Sequence, residues 1–250
     1  MATEHNPVRT RPTPGFGLRP PCYAAKTPMS VRQNVNRRVS SRALDSFQFI
    51  ACDTPDFVVE WFADWLTTYI NDGATIKDEQ TLQCGFVILK CRVKNRLLSL
   101  LSPDFDEMPI RWTDDLRKSL GIITAHKYTP ESVGLIPDIP SLQQTAITGE
   151  RFAEFPMFAN RSTPSSANPN DSGWFVGSQD ADNNDPATLQ VMSLYELVLK
   201  VPHVLQFLSL PVGCQVVFSA GTPVLLKDYK EVAVPPDSYL GQVLGRRGIA

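Results

Sequence analysis

The sequence predicts an α+β fold of two small units, each an antiparallel sheet packed with one or two helices, behind a disordered N-terminal tail. Three observations carry this expectation. Strand-length apolar runs and helical periods follow one another in the order strand, helix, two strands, helix before the middle of the chain, which makes a complete α+β unit. The stretch "GLIPDIPSLQQT" then sets Pro137 and Pro140 between periodic segments, and because proline disfavours helix in the residue before it, this is a suitable boundary. Residues 1–44, finally, mix Pro, Arg, Ser and Thr with isolated apolar residues and offer no face whose burial offsets the entropy of ordering. The expected organisation is a tail over 1–44, one domain over 45–140 and a second over 141–250.

Composition sets outer limits. Apolar residues make up 42% and charged residues 20%, ordinary globular values, and no apolar run approaches the roughly 20 residues of a membrane span, so a soluble chain is expected. The formal net charge of -2 conceals an asymmetry: residues 1–44 hold eight Lys/Arg against one acid, leaving 16 basic and 25 acidic residues in an acidic body. The tail lacks the apolar core of a secretory signal, and its prolines spoil an amphipathic import helix. Met29 is an equally suitable start of translation, with residues 1–28 then outside the expressed chain. Cys22, Cys52, Cys84, Cys91 and Cys214 show no C-x-x-C spacing, which points to reduced thiols in a cytoplasmic protein. His5, His126 and His203 stand at no ligand spacing from one another or from a cysteine, so neither zinc nor any other cofactor is expected.

The first element read is "SFQFIAC", a strand ending at Cys52. In "DTPDFVVEWFADWLTTYINDG", Thr54 suits the cap, Pro55 the first helical position and Asp56 the positive helix end, with Gly73 as the stop. Val58, Trp61, Phe62, Trp65, Leu66 and Tyr69 recur at three and four residues and draw one apolar stripe. "TLQCGFVILKCRVKNRLLSLLS" reads as two antiparallel strands turning at Lys94-Asn95. A second helix is expected from Thr113 as cap, with Leu116, Leu120 and Ile123 inward.

Beyond the linker, "ERFAEFPMFANR" reads as a strand region, "STPSSANPNDSG" as a loop, "GWFVGS" as a strand and "QDADNNDPAT" as a turn. Ser193 followed by Glu196 forms a capping box ahead of Leu194, Leu197, Val198 and Val201, and Pro202 breaks that helix. A second apolar turn, Val204 to Leu208, leads through Pro211-Val212-Gly213 into a strand from Cys214 to Phe218. "PVLLKDYKEVAV" adds an edge strand, and "GQVLGRRGIA" is expected to fray.

Chemistry is sought first in Asp171–Asp185, "DSGWFVGSQDADNND". Asp180, Asp182 and Asn184 occupy the first, third and fifth positions of a calcium loop, yet Asp185 stands where the sharp bend needs glycine and Val191 where a bidentate Glu is needed. Ser172 lacks the G-x-S-x-G elbow of a nucleophile, and no glycine-rich phosphate loop exists. The stretch reads instead as scaffold followed by surface. Asp171 and Ser172 bond their own backbone, Gly173 takes a conformation closed to other residues, and Trp174 anchors a strand; Pro211 and Gly213 join them as scaffold. Asp180, Asp182 and Asp185 then face water as candidate partner-binding residues, a rigid acidic cluster that speeds association with a basic partner. Two alternatives stand beside this. One is a small hydrolase using Asp104, Asp106 or Glu107 with His126, since carboxylates with separated pKa values do acid–base work. The other is a nucleic-acid or anionic-surface binder acting through the arginine-rich tail.

Asp171-Ser172-Gly173-Trp174, Gly177 with the acidic loop after it, the helix from Ser193 with its proline break, and Leu210-Pro211-Val212-Gly213 before a final strand stand in an order and spacing similar to the family called immunity protein thirty-three, of bacterial polymorphic toxin systems. The resemblance covers about residues 145–220. It departs at Ser178-Gln179-Asp180, where members tend to carry Gly followed by acids, and at His203, where they tend to carry an acid. What it implies is a cytosolic protein without catalytic groups that binds and silences a cognate toxin; the acidic body suits a basic one, and neither membrane nor nucleic acid is expected as a partner.

Overall fold

In the computed structural model, which describes residues 32–247, the first described element is a strand that its composition conceals. β1 (Arg32–Arg38) pairs antiparallel along its full length with β2 (Ser46–Cys52), the strand expected from "SFQFIAC". No residue of β1 is buried. It is held by the backbone ladder, by Gln33 Nε2 donating to Asp56 Oδ1 at 2.6 Å, and by an Arg37–Glu60 ion pair. This corrects the reading of 1–44 as disordered over residues 32–38: an edge strand that buries nothing needs no apolar alternation, so periodicity passes over it. Residues 1–31, including Cys22 and Met29, lie outside the described residues.

α1 (Asp56–Asn71) starts one residue later than the expected cap places it, because Pro55 is itself the extended residue at the cap (φ -59°, ψ 137°), while Thr54 Oγ1 donates to the Cys52 carbonyl at 3.0 Å instead. Its buried face is Val58, Val59, Phe62, Ala63, Leu66 and Ile70; Trp61, Trp65 and Tyr69 fall on the margin, with Trp65 stacked on Tyr69 at 5.8 Å. The small Ala63 lies on the buried face one residue from Phe62, whose ring meets Phe49 of β2 edge-on at 5.1 Å, and this selects the face over the neighbouring stripe that carries more aromatics. Gly73, at φ 92°, ends the helix.

A meander follows: β3 (Thr81–Cys84), β4 (Val87–Lys94) and β5 (Leu97–Pro103). The β4–β5 turn holds Asn95 and Arg96 at φ 50° and 62°, the left-handed pair that a two-residue hairpin demands. Arg96 accepts that conformation with its guanidinium bonded to Asp45 Oδ1 at 2.8 Å and the Arg42 carbonyl at 2.7 Å. β5 pairs parallel with β2, so the sheet, in the order β1-β2-β5-β4-β3 with β6 (Trp112–Thr113) added to β5, is mixed rather than antiparallel. Parallel neighbours require a crossover, here the segment containing α1, and long-range pairing of that kind leaves no local mark. α2 (Arg117–Glu131) begins after Thr113, which belongs to β6; Asp115 takes the capping work, its Oδ1 accepting the Arg117 N–H at 3.0 Å. Leu116 and Leu120 are buried as expected, and Ile122 replaces Ile123 as the third inward residue.

The chain divides into two compact units between Thr124 and Ala125, inside α2. The proline stretch lies in the second unit, whose own residues hold it: the Asp138 N–H donates to the Ser209 carbonyl at 2.9 Å, and the Asp138 carboxylate pairs with Arg161 at 3.1 Å. The second unit runs β7 (Thr145–Thr148), β8 (Met157–Arg161), β9 (Asp171–Ser178), β10 (Gln190–Ser193), α3 (Leu194–Lys200), a 3-10 helix over Pro202–Phe207, β11 (Cys214–Phe218), β12 (Val224–Lys227), β13 (Lys230–Glu231) and α4 (Tyr239–Arg247). Its seven strands lie in the order β10-β7-β9-β8-β11-β12-β13, antiparallel except for β7 with β9. Ser193 Oγ accepts the Glu196 N–H at 3.1 Å, so one half of the capping box forms, while Glu196 reaches forward to Lys200 at 2.8 Å. Pro202 ends α3 and opens the 3-10 helix, whose Phe207 packs edge-on against Phe218 at 5.6 Å.

Three expectations change in this unit. β7 and β10, four residues each, are too short to show a period; the single edge strand after Gly221 is the β12–β13 hairpin, turning at Asp228 and Tyr229 with φ 51° and 63°. The end expected to fray forms α4, because Leu240 and Leu244 are buried and the Leu240 N–H donates to Ser132 Oγ at 3.0 Å. No helix among the described residues is long and apolar enough to cross a membrane.

Candidate functional site

Asp171 to Trp174, at the start of the stretch, are each held by hydrogen bonds. Asp171 receives the Gly173 N–H on Oδ1 at 2.8 Å and the Ser165 N–H on Oδ2 at 2.7 Å, and Ser172 Oγ donates to the Thr145 carbonyl at 2.7 Å. Gly173 sits at φ 75°, and a Cβ there would collide with the Ser162 carbonyl, whose own N–H donates to the Gly173 carbonyl at 2.9 Å. Trp174 is 1% exposed: its Nε1 donates to the Leu208 carbonyl at 3.0 Å, and the Arg161 guanidinium lies 5.7 Å from its ring. Arg161, itself buried, donates to the Leu210 carbonyl at 2.6 Å and to that of Asp138. Gly213, at φ 85°, gives its N–H to the Arg161 carbonyl at 2.8 Å, and the Pro211 carbonyl accepts from Cys214 at 3.2 Å. Asp171, Gly173, Trp174, Pro211 and Gly213 thus form one hydrogen-bonded frame.

The second half is a loop pinned at a single side chain. Asn183 Nδ2 donates to the carbonyls of Ser178 at 2.7 Å and Ala181 at 3.1 Å. Its Oδ1 lies where a Cβ on either Gly149 or Gly177 would stand, so a glycine just past the end of β7 and one within its parallel neighbour β9 leave the room it fills. Sequence reading missed Asn183, and the only local signal was a pair of glycines 28 positions apart by their numbers. Around this pin Asp180, Asp182 and Asp185 are exposed; Asp182 Oδ1 accepts the Asn184 N–H and Asp185 Oδ1 the Ala187 N–H, each at 2.9 Å. Arg151 borders them, paired with Glu154 at 2.7 Å; the Glu154 hydrogen bond, and behind it the charges of Asp180 and Glu150, raise its pKa above the usual value. Gly177→Ala is expected to evict Asn183 at a cost of about 1 kcal/mol to the unit, within the range of a lost buried hydrogen bond. Hydrogen exchange reads the difference: amides of 178–184 should lose protection while those of β11 keep it, and unchanged exchange in the loop would refute the pin.

The residues of the hydrolase reading are engaged otherwise. In the first unit, Asp106 pairs with Lys118 at 2.5 Å, Glu107 with Arg111 at 2.5 Å, and Asp104 lies 3.9 Å from Arg111 while accepting the Asp106 N–H at 3.1 Å. In the second, His126 is buried with Nε2 hydrogen-bonded to the Leu205 carbonyl at 2.7 Å, and desolvation drives its pKa down to about 4 against the opposing pull of that bond. Carboxylates held as ion pairs and a histidine held as a core hydrogen bond give that reading no support. His203 bonds Met157 Sδ at 3.1 Å and stacks on Phe155 at 5.1 Å. The arginine tail lies outside the described residues except for its last part, which includes β1.

Residues 129–233 match the model of the Imm33-like domain. The matched segment runs from the last turn of α2 past β13, and so includes the Asp171–Trp174 frame, the acidic loop, α3 with its proline break and the Pro211–Gly213 turn. It extends on both sides of the stretch over which the sequence resembles that family. No curated protein and no solved structure matches the chain.

Proposed function

We propose that this chain is an immunity protein of a bacterial polymorphic toxin system: it binds a cognate toxin in the cytoplasm and silences it by covering the toxin's active site or substrate path, performing no chemistry itself. The observation that carries the reading is the Imm33-like match, which takes in the whole seven-stranded sheet of the second unit and stops short of α4. The exposed acidic loop, held by Asn183 against Gly149 and Gly177, supports it, since docking favours surfaces that lose little freedom on binding. Asp180, Asp182 and Asp185 serve as the steering charges, and the acidic body suits a basic toxin; nucleases, which hold phosphates, are of that kind.

Co-expression with the toxin encoded beside this gene in a sensitive host tests the reading. Growth should be restored by the chain, and continued killing despite its soluble expression would refute it. Reversing Asp180, Asp182 and Asp185 to lysine together should slow association about tenfold at low salt and flatten its salt dependence. Stopped-flow association across a salt series checks this, and unchanged slopes would clear the loop of steering.

A further inference from the structure

The seven-stranded sheet shows its outward face as a row of apolar side chains. Registers place Val191 opposite Ile147, Ile147 opposite Phe175, Phe158 opposite Val217, and Val217 opposite Val224, and the rings of Phe175 and Phe158 meet at 5.8 Å. Facing positions share one side of a sheet, so these six belong to a single surface. The opposite side is the core: Met192, Ala146, Val176, Ala159 and Val216 are buried there, and the 3-10 helix joins them through Leu208 and Trp174. On the outward side Val191 is 68% and Ile147 38% exposed, while Phe158, Phe175 and Val217 are half-buried. Antiparallel sheets ordinarily turn polar residues to water, and a contiguous apolar patch on such a face marks a binding surface.

Charge selects the occupant. The other outward positions at these registers include Ser193, Thr145, Asn160, Gln215, Leu226, Gly177 and Glu231, none of them a lysine or arginine. The acidic loop borders the same face, since Asn183 lies against outward-facing Gly177, whose missing side chain also adjoins the Phe175 ring. A second copy laid on this surface brings its own aspartates toward these, which opposes self-association; a partner with an apolar centre and a basic rim is complementary in both respects.

We infer that this outward face is the docking surface for the toxin, with the apolar row seated against an apolar patch of the toxin and the Asp180–Asp185 loop against basic residues at its edge. The inference rests on the immunity reading above and names the contact face of that activity. Inhibition then comes from covering a site beside the toxin's basic patch, and the sheet acts as a rigid plate.

The test uses the full chain and a catalytically inactive form of the toxin encoded beside its gene, with affinity measured by calorimetry. Ile147→Lys with Val191→Lys places cations where a basic partner approaches, at positions exposed enough to leave the fold intact, which an unchanged thermal midpoint confirms. Kd should rise at least about 30-fold, from the loss of two apolar contacts and the two cations set against a basic partner. Tyr229→Lys, at the exposed β12–β13 turn away from the row, should leave Kd unchanged. Wild-type binding that survives the double substitution within about threefold overturns the docking face and leaves the immunity reading standing. Absence of wild-type binding overturns both. A dimer of the chain alone that the double substitution dissolves would give the face to a second copy and also overturn the inference.

Discussion

Trp174→Ala is expected to destabilise the second unit by about 4 kcal/mol, the range for removing a large aromatic from a closed core. The magnitude has three sources. The indole is among the largest fully buried side chains, so its removal leaves a cavity that neighbours on both β8 and the 3-10 helix must collapse into. The Leu208 carbonyl loses its donor. Arg161, buried and held between Asp138 and the Leu210 carbonyl, loses the ring beneath its guanidinium. Trp174→Phe separates these contributions: it keeps most of the volume, loses the N–H, and should cost about 1–2 kcal/mol. Urea unfolding followed by near-ultraviolet circular dichroism reads both variants, and a loss below about 1 kcal/mol for the alanine would mean the indole is no anchor. On the immunity reading proposed above, the phenylalanine variant should still bind toxin, because Trp174 is buried and presents no surface to a partner.

Acid should weaken the fold through His126, by about 3 kcal/mol between pH 6.5 and 4. The folded state holds this imidazole neutral down to about pH 4, chiefly because burial penalises the cation, whereas the unfolded chain protonates it near 6.5. Between those values the unfolded state binds more protons, so stability rises with pH, is complete above about 6.5, and is lost as pH falls toward 4. His126→Gln retains an N–H for the Leu205 carbonyl and cannot titrate in this window, so its thermal midpoint should change less with pH than that of the wild type between 6.5 and 5, above the range where carboxylates contribute. Parallel slopes for the two proteins would show that His126 does not govern the acid limb.

Local rules reached the elements whose determinants are adjacent in the chain. The strand at Cys214–Phe218, the cap at Ser193, the break at Pro202 and the left-handed Gly173 each depend on residues a few positions apart. β1 escaped because a strand that buries nothing carries no apolar period, and α1 offered two overlapping stripes between which only the sheet beneath it chose. α4 escaped for the opposite reason: Leu240 and Leu244 look sparse beside glycines and arginines until their packing is known. For the site, the aspartates were legible as an acidic loop, whereas Asn183 was not, since its space is made by Gly149 and Gly177, which lie far apart in the chain.

By itself the sequence determined the α+β class, the scaffold-then-surface order of Asp171–Asp185, and the likeness to an immunity family, because glycine freedom, proline geometry and side-chain capping act over one or two turns of chain. Only the tertiary structure decided that β2 with β5 and β7 with β9 run parallel, and that Val191, Ile147, Phe175 and Val224 line up on a wet face while their neighbours enter the core. A valine reads the same in the sequence whether it points to solvent or to the interior. Which it does is settled by strand register, a one-residue choice that depends on contacts far along the chain.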